Sequence, residues 1–270
     1  MKTGGLIILG AGELASGVAV RLVRCGYRVL MTELPEPLAV RRLVSFSSAV
    51  HAGETTVEGV RGVLVPLEKA GFVAGRVTVC IDPGKEAPGL LDPAAVIDGR
   101  MLKRAPGSIP GWRGTVIGLG PGFTVPDDAS FVVETHRGAR LGEVITRGSA
   151  APDTGVPGLV GGEAARRVVY SPGAGRLEPH AAIGDLVQEG QVLGAVAGAP
   201  VISPLTGLLR GLVDRRAELR KGVKVADVDP RGRAVDPARI TDKALAIGGG
   251  VLECLLRAGI LPEDSGTWTG

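Results

Sequence analysis

The chain has 270 residues, of which 44% are hydrophobic and 22% are charged, a composition typical of a globular protein with a buried core. The formal net charge of +3 is small and spread along the chain. The sequence therefore lacks the basic stripe with interleaved aromatic residues that is typical of nucleic-acid binding. No segment approaches the ~20 apolar residues of a membrane span, so we expect a cytoplasmic protein.

The cysteines and histidines give no sign of a disulfide framework or a metal site. Cys25, Cys80 and Cys254 lie far apart and among apolar neighbours, so we expect buried free thiols in a reducing compartment. The three histidines are scattered and do not pair with cysteines or acids at the spacing of metal ligands, so no metal is predicted.

The first strand and the turn that follows it have the pattern of a dinucleotide-binding βαβ unit. Four apolar residues, Leu6–Leu9, run into Gly10 and Gly12, and a helical pattern of apolar residues follows. Gly10 permits the tight turn, and Gly12 lets a pyrophosphate approach the backbone at the helix N-terminus. Ala15 allows close packing of the helix on the strand. These residues, with Glu13 between them, are the first candidate ligand-binding site.

The next predicted strand, Val29–Thr32, is followed by an acid that can complete this site. Glu33 lies at the distance of ~20 residues expected for a hydrogen bond to a ribose hydroxyl. An acid there favours an unphosphorylated ribose, although Arg41 and Arg42 lie nearby and weaken that preference. The alternative is a glycine-rich turn in an α/β protein that binds no nucleotide.

Short apolar strands alternate with helical or loop segments as far as Leu102, and they predict a Rossmann-like parallel sheet with helices on both faces. Asp82 and Asp98 each follow one of these strands. Because ligands bind outside the carboxyl ends of such strands, both acids would face the same crevice as Gly12. The alternative is that they shape turns or cap helices. The remaining predicted strands are Gly62–Val65, Val77–Ile81 and Ala95–Ile97.

A second glycine-rich loop follows a strand that begins near residue 114. Gly118, Gly120 and Gly122 give this loop backbone N–H groups that can bind an anion, so all three are candidate ligand-binding residues. The loop fits a sharp crossover into the next strand, residues 131–134, equally well. Residues 149–162 are small, rich in Gly and Pro, and predict a linker or an ordered loop that serves a site.

Residues 175–196 and 207–228 repeat each other without a gap, which indicates one supersecondary unit used twice. The pattern resembles the barrel-sandwich hybrid of biotinyl and lipoyl carrier domains, with a hairpin near residues 197–200. A carrier needs a lysine at that hairpin, but the sequence has none between Lys103 and Lys221. We therefore predict a structural or docking module.

Three regions follow from these patterns. A Rossmann-like nucleotide-binding region covers 1–168, the small β module covers 169–232, and a region containing a C-terminal helix, 233–270, packs back on the first. That helix begins near Thr241 or Asp242 and contains Gly248–Gly250, at a cost of about 1 kcal/mol per glycine relative to alanine. Close packing against the sheet, a ligand or a second copy of the chain would offset this cost, so a homo-oligomer is one expectation.

Seven long stretches, in order along nearly the whole chain, resemble the YqeB family, known as the selenium-dependent molybdenum hydroxylase system proteins. The resemblance implies a cytoplasmic accessory protein in the maturation of molybdenum hydroxylases, whose partner is such an enzyme or another maturation factor. It identifies no catalytic residue. The stretches are GAGELASGVAVRL, MTELPEPLAVRRLVSF, VIGLGPGF, VVETHRGARLGEVI, DTGVPG, KVADVDPR and ITDKALAIGGGVLE.

The sequence thus supports two hypotheses from different functional classes. The first is an accessory protein that binds a dinucleotide, either NAD or the cytosine dinucleotide of molybdopterin, with its pyrophosphate against the Gly10–Ala15 turn. The second is an NAD(P)-dependent oxidoreductase of unknown substrate. The second lacks a His, Tyr or Lys placed for proton transfer beside the crevice, so whether the protein is an enzyme stays open.

Overall fold

The chain forms two compact units, and each is described by itself. Unit 1 consists of residues 1–35, 45–153 and 240–270, and unit 2 of residues 36–44 and 154–239. Most of the DTGVPG stretch lies outside the residues that are described. The computed structural model describes residues 4–104, 106–107, 109–153, 155, 162–163 and 166–262.

Unit 1 is built on a nine-stranded sheet with the order β10-β9-β7-β6-β1-β2-β5-β4-β3. Its strands are β1 (Leu6–Leu9), β2 (Val29–Glu33), β3 (Glu54–Val57), β4 (Val60–Leu64), β5 (Arg76–Ile81), β6 (Ala95–Asp98), β7 (Thr115–Leu119), β9 (Phe131–Val133) and β10 (Val144–Ile145). Strands β8 (Thr124–Val125) and β11 (Gly148–Ser149) form a separate pair. The helices are α1 (Glu13–Arg24), α2 (Ala49–Ala52), α3 (Ala87–Leu91) and α4 (Asp242–Arg257).

The sheet is mixed, so the predicted Rossmann-like parallel sheet is wrong. The seven inner strands run parallel, but β3 and β10 pair antiparallel with their neighbours at the two edges. At one edge a two-residue turn joins β3 to β4, with positive φ at both Glu58 and Gly59. Such a turn is typical of a hairpin and cannot make a parallel crossover. The sequence analysis missed it because it did not include β3.

Helix α4 packs closely against other elements of unit 1 through its glycines. The Thr241 Oγ1 atom accepts a hydrogen bond from the Ala244 amide and caps the helix. A Cβ atom on Gly250 would collide with the carbonyl oxygen of Gly142, and one on Gly248 would lie 3.2 Å from Arg21 Cδ. These contacts confirm close packing at two of the three glycines, whereas Gly249 faces open space.

Unit 2 contains two small sheets around an apolar core. Core residues such as Leu193, Leu209 and Val225 are fully buried between the sheets. The four-stranded sheet has the order β12-β18-β17-β14, and the three-stranded sheet has the order β13-β15-β16. The strands are β12 (Val168–Tyr170), β13 (Leu177–Pro179), β14 (Leu186–Val187), β15 (Val192–Val196), β16 (Ala199–Ile202), β17 (Gly207–Leu212) and β18 (Lys224–Asp229).

The prediction that this module is a barrel-sandwich hybrid of the biotinyl or lipoyl type is wrong. The two repeated stretches do not form equivalent units, because the first supplies β13, β14 and β15 whereas the second supplies only β17 and most of β18. Strand β14 pairs with β17, while β13 pairs with β15, so the strands of the repeat are distributed unevenly over two sheets. The sequence similarity reflects apolar alternation and glycine turns that recur in many β structures.

Ion pairs centred on two buried aspartates of β18 link this strand to its neighbours and to the residue that follows it. Asp227 accepts hydrogen bonds from Arg167 at 2.8 Å and Arg210 at 3.0 Å, and Asp229 pairs with Arg231 at 2.8 Å. Burial alone would raise the pKa of Asp227, but the surrounding cations hold it below its ordinary value. The Asp229–Arg231 pair lies at the C-terminal end of β18.

The structure tests two of the sequence predictions, the burial of the cysteines and the lack of a membrane-spanning segment. Cys80 and Cys254 are buried free thiols, as expected, but Cys25 is exposed at the end of α1, where the prediction of burial is wrong. Within the described ranges, no helix has both the length and the apolar character needed to cross a bilayer.

Candidate ligand site at the first glycine turn

The first glycine turn lies between the carboxyl ends of two strands. Leu9 pairs with Thr32 of β2 on one side and with Asp98 of β6 on the other. The strand that follows β1 along the chain, β2, lies on one side of it in the sheet, and β6, which comes later, lies on the other side. In parallel arrays of this kind, ligands bind in the crevice where the strand order reverses. The turn therefore occupies the position in the sheet that favours a ligand.

The conformation of the turn is fixed by hydrogen bonds from its first two residues. Gly10 has a φ of +87°, which a glycine adopts without strain, and its amide donates to the Thr32 carbonyl at 2.9 Å. The Ala11 amide donates to Glu33 Oε2, also at 2.9 Å. Hydrogen bonds to two residues of β2 therefore fix the conformation of the turn.

The N-terminus of α1 faces open space at Gly12. A Cβ atom on Gly12 would meet no described atom within 4 Å. Within the part of the chain that is described, the amides of Gly12 and Leu14 donate to no acceptor. Two free N–H groups at the positive end of a helix dipole form an arrangement that binds anions. Glu13, the first helical residue, is half-buried and places an acid in the same turn.

Close packing of α1 on the sheet depends on two small residues. A Cβ atom on Gly99, which follows β6, would lie 2.8 Å from the Ala15 Cβ atom. Ala15 therefore has the packing position that the pattern predicts. The sequence analysis did not identify Gly99 as the residue that Ala15 contacts. The signal that was available is the position of this glycine directly after the strand-end acid Asp98.

Asp98 lies at the end of β6, and its carboxylate is engaged by Arg100. Its carboxylate is 3% exposed and accepts hydrogen bonds from Arg100 Nε at 2.9 Å and from the Arg100 amide at 3.2 Å. Arg100 in turn lies against Gly10, since a Cβ atom there would be 3.3 Å from Arg100 Cγ. The pair places a partly exposed guanidinium group beside the turn, a second feature that favours an anion and that the sequence analysis missed.

Glu33 contacts the turn itself. Its Oε1 atom accepts from the Leu34 amide at 2.8 Å and its Oε2 atom from the Ala11 amide. Burial raises the pKa of Glu33, and the two amide hydrogen bonds only partly offset this rise. A carboxylate has about four lone-pair sites, so the two that remain can still accept a ribose hydroxyl.

Asp82, a third predicted site residue, serves the backbone instead. It is 5% exposed, and its two carboxylate oxygens accept the amides of Glu86 at 2.9 Å and Ala87 at 3.0 Å. These contacts fasten the start of α3. The capping alternative therefore accounts for both of its oxygens.

The second glycine loop is filled by neighbouring groups. A Cβ atom on Gly118 would collide with the Phe123 ring, one on Gly120 would lie 2.9 Å from Thr135 Oγ1, and one on Gly122 would lie 2.5 Å from the Leu102 carbonyl oxygen. Packing within unit 1 therefore accounts for each of these three glycines.

Comparison with known proteins gives one relative that decides the family. No protein-family model matches the chain. The chain is 41% identical over 258 residues to the uncharacterized protein YqeB of Escherichia coli (strain K12), and the match covers 93% of this chain. The chain belongs to the YqeB family. It spans about half the length of this relative, 47%.

Solved structures match the chain only weakly. They include an aspartoacylase family protein from Mesorhizobium loti (11% identity, 86% of this chain and 54% of that one, TM-score 0.23) and a succinylglutamate desuccinylase/aspartoacylase from Rhodobacter sphaeroides (14% identity, 84% and 86%, TM-score 0.29). At these TM-scores the likeness says nothing about activity.

Proposed function

We propose that this YqeB-family chain binds a phosphate-bearing, dinucleotide-like ligand at the N-terminus of α1, as a cytoplasmic accessory protein in the maturation of molybdenum hydroxylases. The observation that carries the ligand is the open space at Gly12, combined with the free amides of Gly12 and Leu14. The accessory role rests on the resemblance of the motifs to the family. NAD and the cytosine dinucleotide of molybdopterin are the two candidate ligands.

The groups around the turn suit the parts of such a ligand. The helix N-terminus and the Arg100 guanidinium favour a pyrophosphate, and Glu33 offers acceptors for ribose hydroxyls. Residues 10–14 of the turn contain no His, Tyr or Lys that could transfer a proton, and for this reason we propose ligand binding rather than a dehydrogenase.

The test uses two glycines that are alike in their surroundings but differ in position. An added methyl group meets no described atom at either Gly12 or Gly249, and Gly12 has a φ of −71°, which alanine adopts readily. We expect Gly12→Ala to weaken binding of NAD or CDP, measured by isothermal titration, by tenfold or more, because the methyl group lies where the phosphate approaches. Gly249→Ala should bind as the wild type does.

Different results would contradict the ligand proposal and the accessory role. If the wild type binds neither NAD nor CDP, and mass spectrometry of the purified protein recovers no nucleotide or pterin, the ligand proposal is wrong. A separate affinity purification from lysate tests the accessory role. Recovery of no molybdenum hydroxylase and no maturation factor would contradict that role while leaving the ligand site intact.

A further inference from the structure

Unit 1 contains a cavity whose lining does not include residues 10–14 of the first glycine turn. It has a volume of about 490 Å³ and lies against strand β7. Trp112, Val116, Phe123 and Ala129 supply much of its apolar lining. Pockets that bind small molecules have volumes of roughly 300–1,000 Å³ and combine an apolar lining with a few polar groups. The cavity has the size of such a site, and its lining combines apolar side chains with charged ones.

Two opposite charges line the same cavity without pairing. Arg113 and Asp127 are both exposed, and neither side chain forms a hydrogen bond or an ion pair with any described residue. They also do not pair with each other.

The other two acids of the lining are already engaged. Asp98 binds Arg100, and Asp128 Oδ2 accepts the Thr124 amide at 2.9 Å. One cation and one anion of the cavity therefore remain available to a ligand.

We propose that this cavity binds a small zwitterion with an apolar body, of the class of a free hydrophobic α-amino acid. Arg113 would receive the carboxylate through its planar fork of N–H donors, and Asp127 would accept hydrogen bonds from the ammonium group. The apolar side chain would lie against Trp112 and the partly exposed Val116. This site is independent of the function proposed for the Gly12 turn.

Ligand binding in the cavity can be followed by the fluorescence of Trp112 once the second tryptophan of the chain has been replaced. The sequence contains only Trp112 and Trp268, so Trp268→Phe leaves the cavity tryptophan as the sole indole fluorophore. In this variant we expect L-leucine to produce a saturable change in fluorescence. Three matched probes each lack one feature of leucine: isoamylamine lacks the carboxylate, 4-methylpentanoate lacks the ammonium group, and L-serine lacks the apolar body.

Loss of a charge-assisted contact should weaken each singly charged probe by roughly tenfold relative to leucine. In the Trp268→Phe background, Arg113→Gln should remove the preference for leucine over isoamylamine but keep the preference over 4-methylpentanoate. Asp127→Asn should have the reverse effect. Arg147→Gln is the matched control, because Arg147 is also an exposed arginine but lies outside the cavity lining.

Two results would overturn the proposal. One is the absence of a saturable response to L-leucine up to its solubility limit. The other is a response in which Arg113→Gln and Arg147→Gln change the preference among the probes equally, or in which neither Arg113→Gln nor Asp127→Asn changes it. Since both substituted side chains are exposed, the variants should fold, and a thermal unfolding curve for each will establish this.

Discussion

The two glycine loops of unit 1 look alike in sequence and differ in what surrounds them. In the first loop, Gly12 faces open space, and the amides of Gly12 and Leu14 donate to no acceptor within the described chain. In the second, Gly118 and Gly122 leave room for the Phe123 ring and the Leu102 carbonyl. A glycine can therefore admit a ligand or a neighbouring part of the same protein. Only the position of the rest of the chain tells these cases apart.

The comparison predicts its largest effect at Gly122. A methyl group there would lie 2.5 Å from the Leu102 carbonyl oxygen, so the backbone must shift. We expect Gly122→Ala to lower the free energy of unfolding by about 1–3 kcal/mol, as overpacking does. Urea denaturation measures this. If the variant were as stable as the wild type, the second loop would not be filled as described.

Glu33→Ala should have the next largest effect. The substitution removes the acceptor of the Ala11 and Leu34 amides, which fix the first turn. The expected loss is about 1–2 kcal/mol in the free energy of unfolding, with Glu68→Ala, at an exposed glutamate, as the control. An equal loss in both variants would show that Glu33 does not hold the turn.

The difference in unfolding free energy between the wild type and Glu33→Ala should depend on pH. Burial raises the pKa of Glu33 in the folded state above its unfolded value of about 4.3. Its contribution to stability is therefore fully present below that value and is lost as the pH rises through the folded-state pKa. The stability gap between wild type and Glu33→Ala should be smaller at about pH 8 than at about pH 4. A gap that widens with pH would contradict the direction of the shift.

The smallest expected effect on stability is at Gly12. Because an added methyl group meets no described atom, Gly12→Ala should change the free energy of unfolding by less than about 0.5 kcal/mol. The same urea measurement applies. A loss as large as that of Gly122→Ala would mean that the first turn is also filled and would remove the distinction between the loops.

Local patterns predicted much of the sheet because the apolar strands are short and clearly bounded. The predicted strand Leu6–Leu9 agrees with β1, and the predicted start of the C-terminal helix, Thr241 or Asp242, agrees with the start of α4 at Asp242. The edges of the sheet were not predicted. Strand β3 reads ETTV, with little hydrophobic signal, and its direction depends on a two-residue turn rather than on its own composition.

The sequence identified several residues of the candidate site correctly but did not predict what their side chains contact. The spacing of Gly10, Gly12 and Glu33 identified the first turn, but not the contact of Arg100 with Gly10. Asp82 was included because strand-end acids meet at one edge of a sheet, yet its hydrogen bonds go to the amides that follow it. Sequence spacing gives the place of a side chain, whereas its hydrogen-bond partner depends on the path of the loop.

The close contact between α1 and α4 has a consequence for the order of synthesis. A Cβ atom on Gly17 would lie 2.6 Å from the Ala244 Cβ atom, so the first helix of unit 1 has a tight partner more than two hundred positions later. A ribosome delivers this partner only after residues 154–239 of unit 2 have been made. Until then the face of α1 around Gly17 lacks this partner, and transiently exposed surfaces of this kind are the ones that favour aggregation during folding.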